Sequence, residues 1–148
     1  MKTRLAIFVL ATLIIAGCNT TKDTTSGNKF TSATIIDTTW ELTKLDGTKV
    51  DQSTTTGKKI HFSLNSAVNR VNGHAGCNTF YGNYTLEKGN RIRFAKLVST
   101  RMACLDAAID ESNLLEVFQL ADNYTINGDT LMLNIGRRTP LAVFRKVK

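Results

Sequence analysis

The sequence predicts a mostly β domain, a set of short antiparallel strands curled into a barrel with one α-helix packed against it. Three observations lead there. Apolar residues alternate with polar ones at period two in successive short runs, turn-forming Gly, Asn, Asp and Pro separate the runs, and the period becomes helical only between Asp110 and Asp122. With 148 residues the chain has room for one ordinary core once its ends are set aside.

The first run places Trp40 and Leu42 on one face, and the next does the same for Ile60, Phe62 and Leu64, leaving His61 facing outward. The Thr/Ser-rich stretch from Gln52 to Gly57 between them reads as a variable turn. A hairpin follows, in which Phe80, Gly82, Tyr84 and Leu86 share a face, Glu87-Lys88-Gly89-Asn90 turn the chain, and Ile92 and Phe94 continue the pattern. Over Asp110 to Asp122, Leu114, Val117, Phe118 and Ala121 fall on one helical stripe, and Glu111 and Glu116 are expected to project elsewhere. Tyr124 and Ile126 lead into Asn127-Gly128, a dipeptide suited to a type I′ turn, and Leu131, Leu133 and Ile135 alternate beyond it. Pro140 breaks the ladder before a last strand in which Leu141 and Val143 keep one phase and Phe144 takes the other, so a bulge or a strand apolar on both faces is expected there. Many short antiparallel strands must hide their edges, and closing into a barrel, with the helix over an end or a gap, does so.

Ahead of the domain, Lys2 and Arg4 precede an uncharged apolar run from Leu5 to Ala16. That run is shorter than the ~20 residues a membrane-spanning helix needs, and it has the length of a signal-peptide core. Ile15-Ala16-Gly17-Cys18 resembles the bacterial lipobox, which implies acylation of Cys18 and cleavage just before it. Several acyl chains anchor stably where one is marginal. The chain therefore divides into a signal peptide at 1–17, a lipidated end and polar tether at 18–34, and a domain at 35–148. Asn19, where an Asp would act as a retention signal, points by resemblance to sorted lipoproteins toward the periplasmic face of the outer membrane.

Export changes how the cysteines read, because thiols outside the cytoplasm persist mainly as disulfides. With Cys18 acylated, Cys77 and Cys104 allow one intramolecular pairing. Two sharper readings compete with it: a metal site using His74, Cys77 and Cys104, and a Cys77 nucleophile with His74 as its base. Zinc usually wants four ligands, and a cysteine nucleophile needs an oriented base, so no metal, cofactor or catalytic residue is assigned.

Gly73-His74-Ala75-Gly76-Cys77-Asn78-Thr79-Phe80-Tyr81-Gly82-Asn83-Tyr84 resembles the glycine-rich signature of the META domain, the HslJ-like family. Thr100-Arg101-Met102-Ala103-Cys104 resembles a second signature of that family, Glu111 to Leu120 its helix, and Trp40-Glu41-Leu42 its opening strand. The resemblance runs from about Asp37 to Val147. It implies a cracked β-barrel with one helix, found on lipid-anchored envelope proteins and associated with heat or envelope stress and with novobiocin resistance. Read from the residues alone, Gly73, Gly76 and Gly82 allow tight bends or close backbone approach, and Asn78 and Thr100 are suited to hydrogen-bonding the backbone of two bent loops.

Removing Lys2 and Arg4 with the signal leaves seventeen Lys and Arg against twelve Asp and Glu, a net charge of about +5. Export separates this basic surface from nucleic acid and brings anionic lipid within its reach. The expected function is that of a non-catalytic, monomeric envelope lipoprotein supporting envelope integrity, stress response or novobiocin resistance by binding a lipid, acyl chain or other hydrophobic ligand in or beside the barrel. The alternative is a protein–protein interaction module of the envelope with a filled core and no ligand cavity. No Gly-rich phosphate loop, nucleophile elbow or zinc helix stands in the sequence.

Overall fold

In the computed structural model, which describes residues 34–52, 57–104 and 107–147, the alternating runs resolve into nine strands and one helix. The signal segment, Cys18, the tether through residue 33 and residues 53–56 of the variable turn lie outside the described residues. The strands are β1 (Thr39–Leu45), β2 (Thr48–Lys49), β3 (His61–Asn65), β4 (Arg70–His74), β5 (Thr79–Glu87) and β6 (Arg91–Ser99), then β7 (Asn123–Asn127), β8 (Thr130–Asn134) and β9 (Ala142–Lys146). The helix α1 (Glu111–Leu120) lies between β6 and β7 in the chain. β1 and β3 to β9 pair antiparallel in chain order, and β9 returns to β1, closing an eight-stranded barrel with β2 as a short arm on β1. Closure satisfies the edges that an open meander would expose.

The barrel is cracked at one seam. β6 and β7 share a single register pair, Arg91 with Asn123, and α1 packs against β6 and β8 beside the gap. Asp110 caps the helix, its Oδ1 accepting from the Ser112 N–H at 2.9 Å. The apolar stripe of Leu114, Val117, Phe118 and Ala121 is buried in the core.

Phe118 fills the barrel. Its ring lies 5.1 Å from Phe62, 5.0 Å from Phe80 and 4.9 Å from Phe94, and Phe62 meets Phe144 at 4.9 Å, mostly edge-on. Such contacts add to plain area burial. Trp40 closes the set, fully buried, with its indole N–H donating to the Ile35 carbonyl at 3.0 Å. Gly73 and Gly82 are where the wall is thinnest. A Cβ on Gly73 would overlap the Phe80 ring and the His61 carbonyl, and one on Gly82 would come within 2.8 Å of Leu97 and 2.9 Å of the Ala95 carbonyl.

Four details differ from the sequence reading. The hairpin after Ile126 turns on Gly128 and Asp129, with Asn127 paired to Thr130, and Gly128 but not Asn127 has positive φ. In β9 the inward residues are Ala142 and Phe144, while Val143 faces out, and the bulge lies across the ladder in β1, where Thr43 is the extra residue. That bulge lets both Leu42 and Leu45 face the core. Leu86, at the end of its hairpin, is 37% exposed. Two elements go beyond the reading: β4, and the β1–β2 turn at Asp46-Gly47, where both residues have positive φ.

Candidate functional site

The glycine-rich motif leaves β4 through a tight turn, in which the Ala75 N–H donates to the Asn78 carbonyl at 2.8 Å and Gly76 takes a φ of 116°. That geometry aims the N–H groups of Cys77 and Asn78 away from the sheet, and both donate to Glu111 Oε1 at 2.7 Å. The Asn78 side chain completes the connection. Its Nδ2 donates to Glu111 Oε2 at 2.7 Å and to the Met102 carbonyl at 3.2 Å, and its Oδ1 accepts from Thr100 Oγ1 and from the Met102 N–H, each at 2.7 Å. Thr100 Oγ1 in turn accepts from the Thr79 N–H at 3.2 Å. Cys77 and Cys104 are joined by a disulfide, with Cα atoms 6.1 Å apart. Three separated segments, the 75–79 turn, the 100–104 run and the first turn of α1, are thus held in one clasp.

Glu111 does not project away, contrary to the sequence reading; it is the hub. Burial would raise its carboxyl, but hydrogen bonds from the Asn78 side chain, the Asn78 N–H and the Cys77 N–H, with His74 nearby, hold it below the ordinary glutamate value. Its place at the first position of a helix favours the same charged form. Hydrophobic periodicity points at apolar targets only. The available signal was different: a bent Gly-Cys-Asn segment must find an acceptor for its N–H groups outside the sheet.

His74 borders the clasp, buried, with Nδ1 accepting from the Gly76 N–H at 3.1 Å. Nε2 therefore carries the proton in the neutral ring. Burial first, and then the charges of Lys58 and His61, push its pKa below the ordinary histidine value, with Glu111 opposing them. His74 pairs in register with His61, His61 with Glu41, and Glu41 with Arg145, so four polar side chains cross the outer wall in a row. Glu41 is nearly buried there between Lys59 at 3.0 Å and Arg145 at 3.6 Å.

Among the residues singled out in the sequence, Gly76, Cys77, Asn78, Thr100 and Cys104 come together, whereas Gly73 and Gly82 shape the barrel wall. Both sulfurs of the competing metal and nucleophile readings are joined to each other. The META domain family matches residues 33–148, a span that contains every described residue. The chain belongs to that family. No curated protein matches the sequence. An NMR structure of a protein from Burkholderia xenovorans is similar at 25% identity and a TM-score of 0.57, over 76% of this chain and 83% of that one. A second protein solved by NMR shares the fold at 17% identity and a TM-score of 0.58, over 73% of this chain and 87% of its own.

Among the described residues, grooves flank α1 of this META domain, and two of them are the largest. One, of about 400 Å³, runs along the crack and is lined by Tyr84, Arg93, Phe94, Leu120 and Ala121 among others. The other, of about 590 Å³, lies over the clasp between Thr100, Met102, Glu111, Leu115 and Gln119. Both are open to the outside, and the buried Phe118 lines neither of them.

Proposed function

We propose that this protein is a non-catalytic, lipid-anchored component of the bacterial cell envelope, and that its META domain supports envelope integrity through contacts of its outer surface. The observation that carries this reading is the filled interior: Phe118 meets Phe62, Phe80 and Phe94 at ring distances of 5.1 Å or less, where an enclosed ligand would have to sit. The clasp supports the non-catalytic part. Its one carboxylate already accepts three hydrogen bonds, His74 Nδ1 accepts another, and both thiols are bonded to each other. A general base needs an open lone pair and a nucleophile beside it. The lipobox-like Ile15-Ala16-Gly17-Cys18 supports the anchor, and with it a place beside a membrane.

The test takes the full chain from cell membranes. Metabolic labelling is expected to place acyl groups on Cys18, native mass spectrometry to return polypeptide plus anchor with nothing enclosed, and cells lacking the protein to become more sensitive to heat and novobiocin. A stoichiometric lipid held inside the barrel would overturn the surface reading, as would a turnover abolished by His74→Ala with the fold intact.

A second reading is favoured by one observation, the wall of the 400 Å³ groove, where Phe94, Leu120, Ala121 and Arg93 are all among the lining residues. An acyl chain with an anionic head fits that combination. Its mark is lipid pick-up that Leu120→Glu abolishes while Leu120→Met retains it.

A further inference from the structure

The outward faces of β4, β5 and β6 form one surface whose layout follows from the register. Arg91 stands beside Glu87 and Arg93 beside Thr85; Arg70 and Ala95 flank Asn83, and Asn72 and Val98 flank Tyr81. Apolar side chains gather at one end. Tyr81 and Val98 are 51% and 46% exposed, and Met102, four residues beyond Val98, is 61% exposed. Cations stand among polar residues over the rest. Among the described residues, Arg70, Arg93, Lys96 and Arg101 make no ion pair, while Glu87 lies 3.9 Å from Arg91. Across the barrel, Glu41 engages both Lys59 and Arg145.

Lys96 adds an independent observation. The β5–β6 ladder is bulged between Tyr81 and Asn83, where Lys96 and Leu97 oppose Gly82, and Lys96 takes a φ of 53°. Glycine or asparagine is what such a bulge favours, because a longer side chain is strained there. The bulge instead presents an exposed lysine on the strand that also carries Arg93. Departures from local preference gather where a side chain serves something besides the fold.

We infer that this face docks onto an anionic phospholipid surface, with Tyr81, Val98 and Met102 entering the headgroup layer and Arg70, Arg93, Lys96 and Arg101 meeting lipid phosphates. The inference rests on the preceding reading only in taking the outer wall as the working surface. Charge complementarity selects the partner. The cations lie on β4, on β6 and just beyond β6, to either side of β5, with an aromatic and apolar tip among them, which matches a diffuse negative surface with an apolar layer beneath it. An acidic protein would instead present discrete carboxylates, and it would leave the tip without an apolar counterpart.

The test places the full chain in nanodiscs of phosphatidylcholine alone or with phosphatidylglycerol, with brominated acyl chains in both. Tyr81→Trp reports contact by bromine quenching, and Trp40, fully buried, is the shielded internal reference. Val98→Trp is the second reporter should the first disturb the ladder. Quenching is expected in the anionic discs, to be lost in high salt, and to fall to the level of the neutral discs in Arg93→Gln/Lys96→Asn. Each cation near an anionic surface strengthens the contact about fivefold, so the double substitution weakens it about twentyfold or more. Its unfolding midpoint should not fall, because Asn accepts positive φ. Equal quenching in both discs, none in either, or none lost on charge removal overturns the inference, as does a protein or second copy crosslinked to position 81 in place of lipid. An enclosed ligand or a turnover would sink the surface reading of function yet leave the quenching result standing.

Discussion

The Asn78 side chain has two donor hydrogens and two acceptor lone pairs, and all four are engaged, tying a turn, a loop and a helix to one residue. Its partner Glu111 and the adjacent His74 both have lowered pKa values in the folded protein. A depressed pKa means the unfolded chain binds the proton first, so the stability each group contributes is present above its unfolded value and lost as pH falls. Acid should therefore act in two windows: the first opens below the ordinary histidine value as His74 titrates, the second below the ordinary glutamate value as Glu111 does. Urea midpoints against pH are expected to fall in both, and His74→Gln to remove the upper window while keeping the lower one. A midpoint flat from neutrality to the glutamate range in the unaltered protein would contradict this. The donors of the clasp were legible in the sequence, since Asn78 and Thr100 are short polar residues at bends. The acceptor was not, because Glu111 lies off the apolar stripe and a helical pattern does not say which polar group its other faces will meet.

At the scale of elements, α1 acts as a plug. Phe118 is fully buried among rings from β3, β5, β6 and β9, so it joins the helix to both sides of the crack. Phe118→Ala is expected to cost about 3–5 kcal/mol in a denaturant titration, the usual range for a buried aromatic truncated in a packed core. Phe94→Ala should cost less, since Phe94 is only half-buried. Similar small losses for both would mean that the interior is not packed around Phe118. The helix and most strands were readable because their inward faces carry two or more large apolar residues. β4 was not, because its inward positions are Val71 and Gly73, a single apolar side chain and a glycine that makes room for Phe80. The last strand misled for the opposite reason: Val143 faces outward opposite the Thr43 bulge, and only the pairing with β1 reveals which phase is the core.

Over the whole molecule, closure at β1–β9 is broad, with five register pairs, whereas the β6–β7 seam has one. The disulfide and the clasp, beyond the far end of β6 from that pair, fasten the segment leading into α1 back onto the start of β5. A crosslink closing a loop of 27 residues removes unfolded-state entropy equivalent to about 3–4 kcal/mol. Its position sharpens the expectation. The constrained loop runs from β5 through β6 to the approach of the helix, so reduction should first loosen residues 100–104 and α1, leaving the β9–β1–β3–β4 wall intact. Native-state hydrogen exchange in reductant is expected to show amides of Leu114 to Leu120 losing protection while those of Trp40, Phe62 and Phe144 keep theirs. The clasp moderates the effect, since the hydrogen bonds of Asn78 and Glu111 survive reduction; adding Asn78→Ala to the reduced protein should carry the loss into β6. Loss of protection in α1 and in the β9–β1–β3 wall together would mean that the barrel opens as a single cooperative unit, and that the crack between β6 and β7 is a feature of its pairing but not of its stability.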